Sequence, residues 1–217
     1  MSLYRFFRAV FSPFVRLLWP VKILGVENFT SLEGGALIIC NHYSIADTLI
    51  TAVRLYKKEL NVLAKHEAFK KKIGKWFLTK IGAIPVRRGE PDINAYKEIM
   101  RRLTADKKVV MYPEGTRNKA GTHELQEFKQ GAALFAIRSG KPILPMVYYE
   151  KHRVFHRNYL LIGEPFMLDK YAGRKHADII EEATAEVFGH MNEIRTEVDA
   201  IVEAKKGKAL PKAEADS

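Results

Sequence analysis

Short apolar runs alternate with longer stretches of helical periodicity along this chain, and that alternation limits its fold more than any other feature. The runs fall at 21–26, 37–40, 61–64, 84–86, 108–112, 143–149 and 159–162. Runs this short, bounded by glycine, proline and polar residues, read as strands. Helical spacing recurs at 44–55, 67–80, 91–103, 125–139 and 175–205. Strands interleaved with helices predict one α/β domain whose mostly parallel sheet is flanked by helices on both faces. In that layout the corners after Cys40, Ala64, Val86 and Tyr112 lie on one rim, at strand C-terminal ends, where open α/β sheets build their sites. The rim predicts that His42, Lys65, Arg88, Glu114 and Arg117 converge, although they are far apart in sequence.

The first of these corners carries the clearest chemistry. Residues 37–50 read LIICNHYSIADTLI: a buried strand, an exit at Asn41 and His42, then a helix from near Ser44 with Asp47 in its first turn. If the helix turns back over the strand end, the Asp47 carboxylate accepts a hydrogen bond from one imidazole nitrogen of His42. The other nitrogen is left as a base aimed into the cleft. This is the base and orienter of a catalytic triad without a built-in nucleophile, and it suits a substrate that brings its own hydroxyl. The bland alternative is a structural histidine beside a helix-capping aspartate. Cys40 lies two residues before His42, so a Cys–His nucleophile is a further alternative; a small buried strand residue is its ordinary fate.

Length and charge set the remaining bounds. At 217 residues the chain can bury one substantial core. Its single cysteine excludes an intramolecular disulfide framework and a zinc site of several thiolates, and fits a reducing compartment. The seven histidines (42, 66, 123, 152, 156, 176 and 190) show no metal-ligand spacing, so no metal is expected. A net charge of +11 implies attraction to something anionic: nucleic acid, acidic headgroups or a phosphorylated substrate. No apolar run has the length of a membrane-spanning helix, and the N-terminus does not read as a signal peptide.

Residues 3–19, LYRFFRAVFSPFVRLLW, place Arg5, Arg8, Ser12 and Arg16 on one helical face. Leu3, Phe6, Phe7, Val10, Phe11, Phe14, Leu17 and Leu18 lie opposite. That pattern describes a helix in the headgroup plane of an anionic membrane, with Pro13 kinking or splitting it. The alternative is a terminal helix docked on the domain's own core. A second basic helix is expected at 67–80, with Lys70, Lys71, Lys72, Lys75 and Lys80. It is either a solvated face or a second contact with anionic lipid or an acidic protein. The chain thus divides into a membrane-surface segment at 1–20, one domain at 21–206 and a disordered polar tail at 207–217.

Several blocks together carry a resemblance. NHYSIAD is an N-H-x4-D block, GAIPVRR resembles G-x-x-x-V-x-R, YPEGTR contains E-G-T-R, FKQGA resembles the F-K-x-G-A segment that follows it, and KPILPM resembles a last, proline-bearing block. In this order they resemble the glycerolipid acyltransferases, most closely the bacterial 1-acyl-glycerol-3-phosphate acyltransferases. The resemblance implies a mixed, mainly parallel sheet, an N-terminal membrane-associated segment, and an acyltransferase domain at 21–206. It implies that His42 is the general base and Asp47 its orienter. Arg88 matches the arginine that binds the acceptor's phosphate. Glu114, Gly115, Thr116 and Arg117 match the block that shapes the acceptor site. Pro145 matches a structural or acyl-lining proline, and Lys65 a lysine after the strand between the first two blocks. Arg87 is a departure, since many members are acidic there, so either arginine fits the phosphate role.

The reaction so implied is acyl transfer from a thioester to the 2-hydroxyl of lysophosphatidate, giving phosphatidic acid. The donor is acyl-CoA or acyl carrier protein, with no cofactor. An alcohol needs a base to take its proton as the new bond forms, and histidine titrates in the right range. The oxyanion would meet backbone amides near the second block or Lys65. The resemblance places such a chain on the cytoplasmic face of the cell membrane, as a peripheral protein on an anionic surface. Within enzymes, the runner-up is another lysophospholipid or phosphorylated acceptor. The alternative of another class is a non-catalytic basic module for membrane or nucleic acid; no nucleic-acid-binding signature accompanies the lysines, so nucleic acid is not expected as a partner.

Overall fold

In the computed structural model of this chain the described residues are 3–55, 61–87, 89 and 91–207. They form α1 (Leu3–Leu18), β1 (Val21–Leu24), α2 (Val26–Thr30), β2 (Ala36–Cys40), α3 (Ile45–Arg54), β3 (Leu63–Lys65), α4 (Lys72–Lys80), β4 (Ile84–Val86), α5 (Ile93–Thr104), β5 (Lys108–Met111), α6 (Gly131–Ser139), β6 (Ile143–Tyr148), β7 (Asn158–Ile162) and α7 (His176–Gly207). Short 3-10 turns add His66–Phe69 and Asp169–Tyr171.

Five strands make one sheet in the order β1-β7-β6-β2-β5. All pairs are parallel except β6 with β7, the two arms of a hairpin. β2 lies inside the sheet, with Ile39 in register with Met111 of β5 and Pro145 of β6. Every residue of β2 is buried, the mark of a strand covered on both faces. Its side chains alternate between two cores. Leu37 and Ile39 pack with α5, α6 and α7, whereas Ile38 and Cys40 pack with α1, α2 and α3. Each such aliphatic side chain contributes about 1.5–3 kcal/mol by leaving water. The α/β expectation holds, with helices on both faces of a mostly parallel sheet.

Some expected elements differ. β3 and β4 form their own two-stranded parallel sheet rather than joining the large one. A single parallel bridge, Val62 to Val110, hooks it onto β5. The chain then turns at once into the 3-10 turn, so the strand has no length for a longer ladder. The helix expected at 67–80 is broken, because Lys71 is extended (φ −82°, ψ 134°) and α4 starts after it. Gly74 belongs to that packing: a Cβ there would sit 2.6 Å from the Ala68 carbonyl oxygen. The helix expected at 125–139 begins only at Gly131. The Lys129 N–H donates to Pro113 O (2.8 Å), which binds the preceding residues to the loop after β5. Asp92 caps α5 from outside, its Oδ1 accepting the Ala95 N–H at 3.0 Å. α2 was not expected. The tail expected beyond residue 206 lies outside the described residues, apart from Gly207 at the end of α7.

α1 runs through Pro13 as one helix and is not split. Tyr4 and Val15 bury against α3, and the Tyr4 hydroxyl donates to Ala52 O (3.0 Å). Arg8 Nε donates to Val53 O (3.1 Å), near the C-terminal end of α3, where a cation is favoured. Arg8 therefore belongs to the docking face, while Arg5 and Arg16 stay exposed. Phe6, Val10, Phe14 and Leu17 form a separate apolar stripe exposed to solvent, Leu17 at 65%. Among the described residues no helix is long and apolar enough to cross a membrane.

Candidate active site

β2 ends in a side-chain rung. Asn41 Nδ2 donates to Tyr148 O (2.9 Å), and the Tyr148 N–H donates to Asn41 Oδ1 (2.8 Å). The Asn41 amide thus replaces one further residue of ladder against β6, and the backbone of His42 is released from the sheet. The loop after β5 takes it up. The Asn118 N–H donates to His42 O (2.7 Å), and the Glu114 carboxylate accepts the His42 N–H.

Ser44 starts α3 as its N-cap, with its hydroxyl accepting the Ala46 N–H at 3.2 Å. Asp47, three residues on, completes the capping box, a motif that contributes about 1 kcal/mol. Its Oδ2 accepts the N–H groups of Tyr43 (2.7 Å) and Ser44 (2.8 Å), and lies 2.9 Å from His42 Nδ1. The cap and the orienter are therefore the same carboxylate. An ionised carboxylate only accepts, so Nδ1 carries the imidazole proton and Nε2 is left with a lone pair for a reacting hydroxyl. His42 is 5% exposed and Asp47 fully buried. The His42 ring stacks on Tyr112, centroids 3.9 Å apart and planes at 18°, and the Tyr112 hydroxyl is bonded to Thr48 Oγ1 (2.7 Å).

The loop from Pro113 to Arg117 folds beside this dyad. Gly115 adopts φ 67°, the left-handed region glycine tolerates, and its N–H closes a turn onto Tyr112 O (3.0 Å). Glu114 is buried, and its Oε2 has no hydrogen-bond partner among the described residues. Burial pushes its pKa up to about 7, against the two backbone N–H groups it accepts; the Asp47 charge adds to the rise. Asn118 anchors the loop's far side, with its Oδ1 accepting the Gly121 N–H and its Nδ2 donating to Thr122 O.

The expected residues separate into groups. His42, Asp47 and Glu114 meet as described. Gly115 and Arg87 line one cavity of about 710 Å³ between the small sheet, α5, β5 and α6. Its walls are mostly apolar, with Val86, Ile99, Met111, Leu134 and Phe135. Tyr112 also lines it, so one ring touches both the imidazole and the cavity. Arg87 is exposed, and its N–H donates to Asp92 Oδ2 (2.9 Å). Thr116 and Arg117 are exposed on the loop after β5. Lys65 is exposed, its Nζ 3.5 Å from Glu67 Oε1. Arg88 lies outside the described residues. Pro145 sits within β6, its carbonyl accepting the Gly163 N–H (3.0 Å).

Cys40 is 1% exposed, and its thiol donates to Asn41 Oδ1 at 3.7 Å. Burial holds its pKa well above the usual thiol value, and the charges of Asp47 and Glu114 push it further. It packs as a protonated core thiol. Among the described residues no group of three or more His, Cys, Asp or Glu side chains lies close enough to hold a metal. Sequence reasoning missed Asn41, Tyr112 and Asn118. Their only signal was adjacency: one precedes the base, one precedes the P-E-G-T-R segment and one follows it.

Comparison with known proteins extends this picture. Residues 20–149 match the Acyltransferase family. The 1-acyl-sn-glycerol-3-phosphate acyltransferase of Bacillus subtilis is 26% identical over 204 residues, covering 92% of this chain and 100% of that protein. The chloroplastic 1-acyl-sn-glycerol-3-phosphate acyltransferase BAT2 of Brassica napus is 29% identical over 153 residues, 64% of this chain. The match spans 43% of that plant protein, less than half its length. The crystal structure of the 1-acyl-sn-glycerophosphate acyltransferase PlsC from Thermotoga maritima superposes with a TM-score of 0.64 at 20% identity, covering 88% of this chain and 81% of that one, a likeness of fold. The family match runs from the residue before β1 past the end of β6 and contains both the dyad and the loop that grips it: the chain belongs to the Acyltransferase family.

Proposed function

We propose that the protein transfers a fatty acyl group from an acyl thioester to the 2-hydroxyl of 1-acyl-glycerol-3-phosphate, giving phosphatidic acid. The observation that carries this reading is the 2.9 Å contact between His42 Nδ1 and Asp47 Oδ2, with the ring backed by Tyr112 at the wall of a largely apolar cavity. The names of relatives from Bacillus subtilis and Brassica napus support the acceptor.

Nε2 of His42 takes the proton of the acceptor hydroxyl as its oxygen attacks the thioester carbonyl. Positioned base catalysis of this kind is worth about 10²–10⁴-fold. Asp47 keeps the productive tautomer and stabilises the imidazolium. The tetrahedral oxyanion is met by backbone amides near β4 or by Lys65. Collapse expels the thiolate, which recovers the proton from Nε2, so the base is regenerated. Arg88 or Arg87 holds the phosphate, with Glu114, Gly115, Thr116 and Arg117 shaping the acceptor site. The apolar cavity takes an acyl chain. The donor is acyl-CoA or acyl carrier protein, and no cofactor or nucleic acid takes part.

The protein works on an anionic membrane surface, at the cytoplasmic face of the cell membrane. The exposed stripe on α1 supports this, as do Ile73 (83% exposed) and Trp76 among the exposed lysines of α4. Phe11 of α1, Leu49 of α3 and Phe77 of α4 line one apolar groove between those helices.

The test is a matrix of acceptors and donors on anionic vesicles, read by release of free thiol. Release that depends on lysophosphatidate is expected. Release only with another lysophospholipid would replace the acceptor. No release with any acceptor, together with salt-sensitive binding to DNA, would replace catalysis with a binding role.

A further inference from the structure

The chemistry above leaves one buried group unused. His152 lies between β6 and β7, with its side chain 1% exposed. It packs edge-on against Tyr148, ring centroids 4.6 Å apart. Its Nε2 lies 3.4 Å from Asp47 Oδ1, the carboxylate oxygen that His42 does not use. The contact is off the line of a hydrogen bond, and Nε2 has no other partner among the described residues. Asp47 Oδ2 accepts at 2.7–2.9 Å, whereas the Ser44 hydroxyl reaches Oδ1 only at 3.4 Å. One end of the carboxylate is held tightly and the other loosely.

Asn158 decides which nitrogen of His152 carries the proton. Its Oδ1 accepts the backbone N–H groups of Tyr159 (2.7 Å) and Glu150 (3.3 Å), which fixes the orientation of the amide. Nδ2 then donates to Glu150 O (2.6 Å) and faces His152 Nδ1 at 3.1 Å. A donor facing Nδ1 makes that atom the acceptor, so a neutral ring carries its proton on Nε2, toward Asp47. Burial lowers the pKa of His152 despite the charges of Asp47 and Glu150, which keeps the ring neutral.

We propose that His152 is a positioning residue for acyl transfer: its neutral imidazole presents Nε2–H to Asp47 Oδ1 and keeps the carboxylate from turning away from His42. The role rests on the His42–Asp47 reading above. A carboxylate held at both oxygens keeps one rotamer through the cycle in which His42 gains and loses a proton. The titratable groups facing Asp47 are His42, Cys40, Tyr43, Glu114 and Tyr148. Glu150 faces His152, and Arg195 of α7 donates to Tyr148 O. All of them stay in place in the His152 variants below.

Two measurements test it. A long-range ¹⁵N–¹H correlation spectrum of the wild-type full chain near neutral pH reads the tautomer without any variant. A neutral His152 protonated on Nε2 is expected; a proton on Nδ1, or a charged ring, overturns the proposal. The second is steady-state thiol release. In His152→Phe, kcat should fall about 10-fold, with KM for lysophosphatidate within about twofold. His152→Gln, whose amide N–H reaches the same oxygen, should recover most of kcat. A folded His152→Phe protein with wild-type kcat overturns the proposal, as does a His152→Gln protein no better than His152→Phe. If the wild type releases no thiol, or His42→Ala keeps the full rate, the dyad reading fails and the positioning role fails with it.

Discussion

The Tyr112 ring lies nearly parallel to the His42 ring, with centroids 3.9 Å apart. The imidazole is therefore fixed in plane by Asp47 and out of plane by Tyr112. Tyr112→Leu removes the flat support and should lower kcat by about 10–100-fold, through misplacement of Nε2. Tyr112→Phe keeps the stack and removes the Thr48 bond, which should cost about 0.5–1.5 kcal/mol of stability with little change in rate. Steady-state thiol release and urea unfolding separate the two.

Because Asp47 serves both the cap and the base, its two roles divide between variants. Ser44→Ala removes the capping hydroxyl and should cost about 1 kcal/mol of stability, with kcat nearly unchanged. Asp47→Asn should lower kcat/KM by about 10²–10⁴-fold, since a neutral amide does not stabilise the imidazolium. Equal losses of rate in both variants would mean that Asp47 acts only as a cap.

Glu114 makes stability depend on pH. An unfolded Glu ionises near 4.5, and in the folded chain burial raises the value to about 7. Between those values the folded chain holds a proton that the unfolded chain has released, so stability falls as pH rises through the window. It is flat below the window, and above it the full penalty remains. Glu114→Gln, neutral throughout, should remove a fall of up to about 3 kcal/mol. Urea unfolding at pH 5 and pH 8 reads the difference; parallel curves for the two proteins would contradict it.

Cys40 is a core thiol with a raised pKa. Cys40→Ala should keep the wild-type rate and cost about 1 kcal/mol of stability. The native thiol should also resist alkylation until the protein unfolds. A Cys40→Ala protein without activity would return the thiol to the mechanism.

On α1 the docking and exposed faces can be separated by substitution. Phe14→Ser with Leu17→Ser alters only exposed positions, so Tm should stay within a few degrees. Partition onto anionic vesicles should weaken by about 10-fold or more, as apolar area is lost from the contact. Val15→Ser alters the docked face and should lower Tm instead. Undiminished vesicle binding by the double variant would remove α1 from the membrane contact.

Sequence reading reached furthest where local pattern and tertiary packing agree. The corner from β2 to α3 was legible because a continuous apolar strand, a serine cap and an aspartate three residues later are all local signals. The helical spacing at 125–139 misled, since Phe128 reaches the core from a loop that Lys129 ties to Pro113. Lysine periodicity likewise ran unbroken across Lys71, where packing on Ala68 breaks the helix. His152 was invisible beside Asp47, because the β6–β7 hairpin carries it there from about a hundred residues away and no spacing encodes it. The expected meeting on the rim was legible for His42 and Glu114, whose loops follow neighbouring strands, whereas the separate small sheet that carries Lys65 was not.

Both main-chain atoms that bracket the base are fastened to the segment after β5, through Asn118 and Glu114, and not to the strand that delivers it. The imidazole is strung like a hinge pin through two leaves of the molecule. Wear in either leaf tilts it, so injury near Asn118 would surface as slow turnover even where affinity for the acceptor is intact.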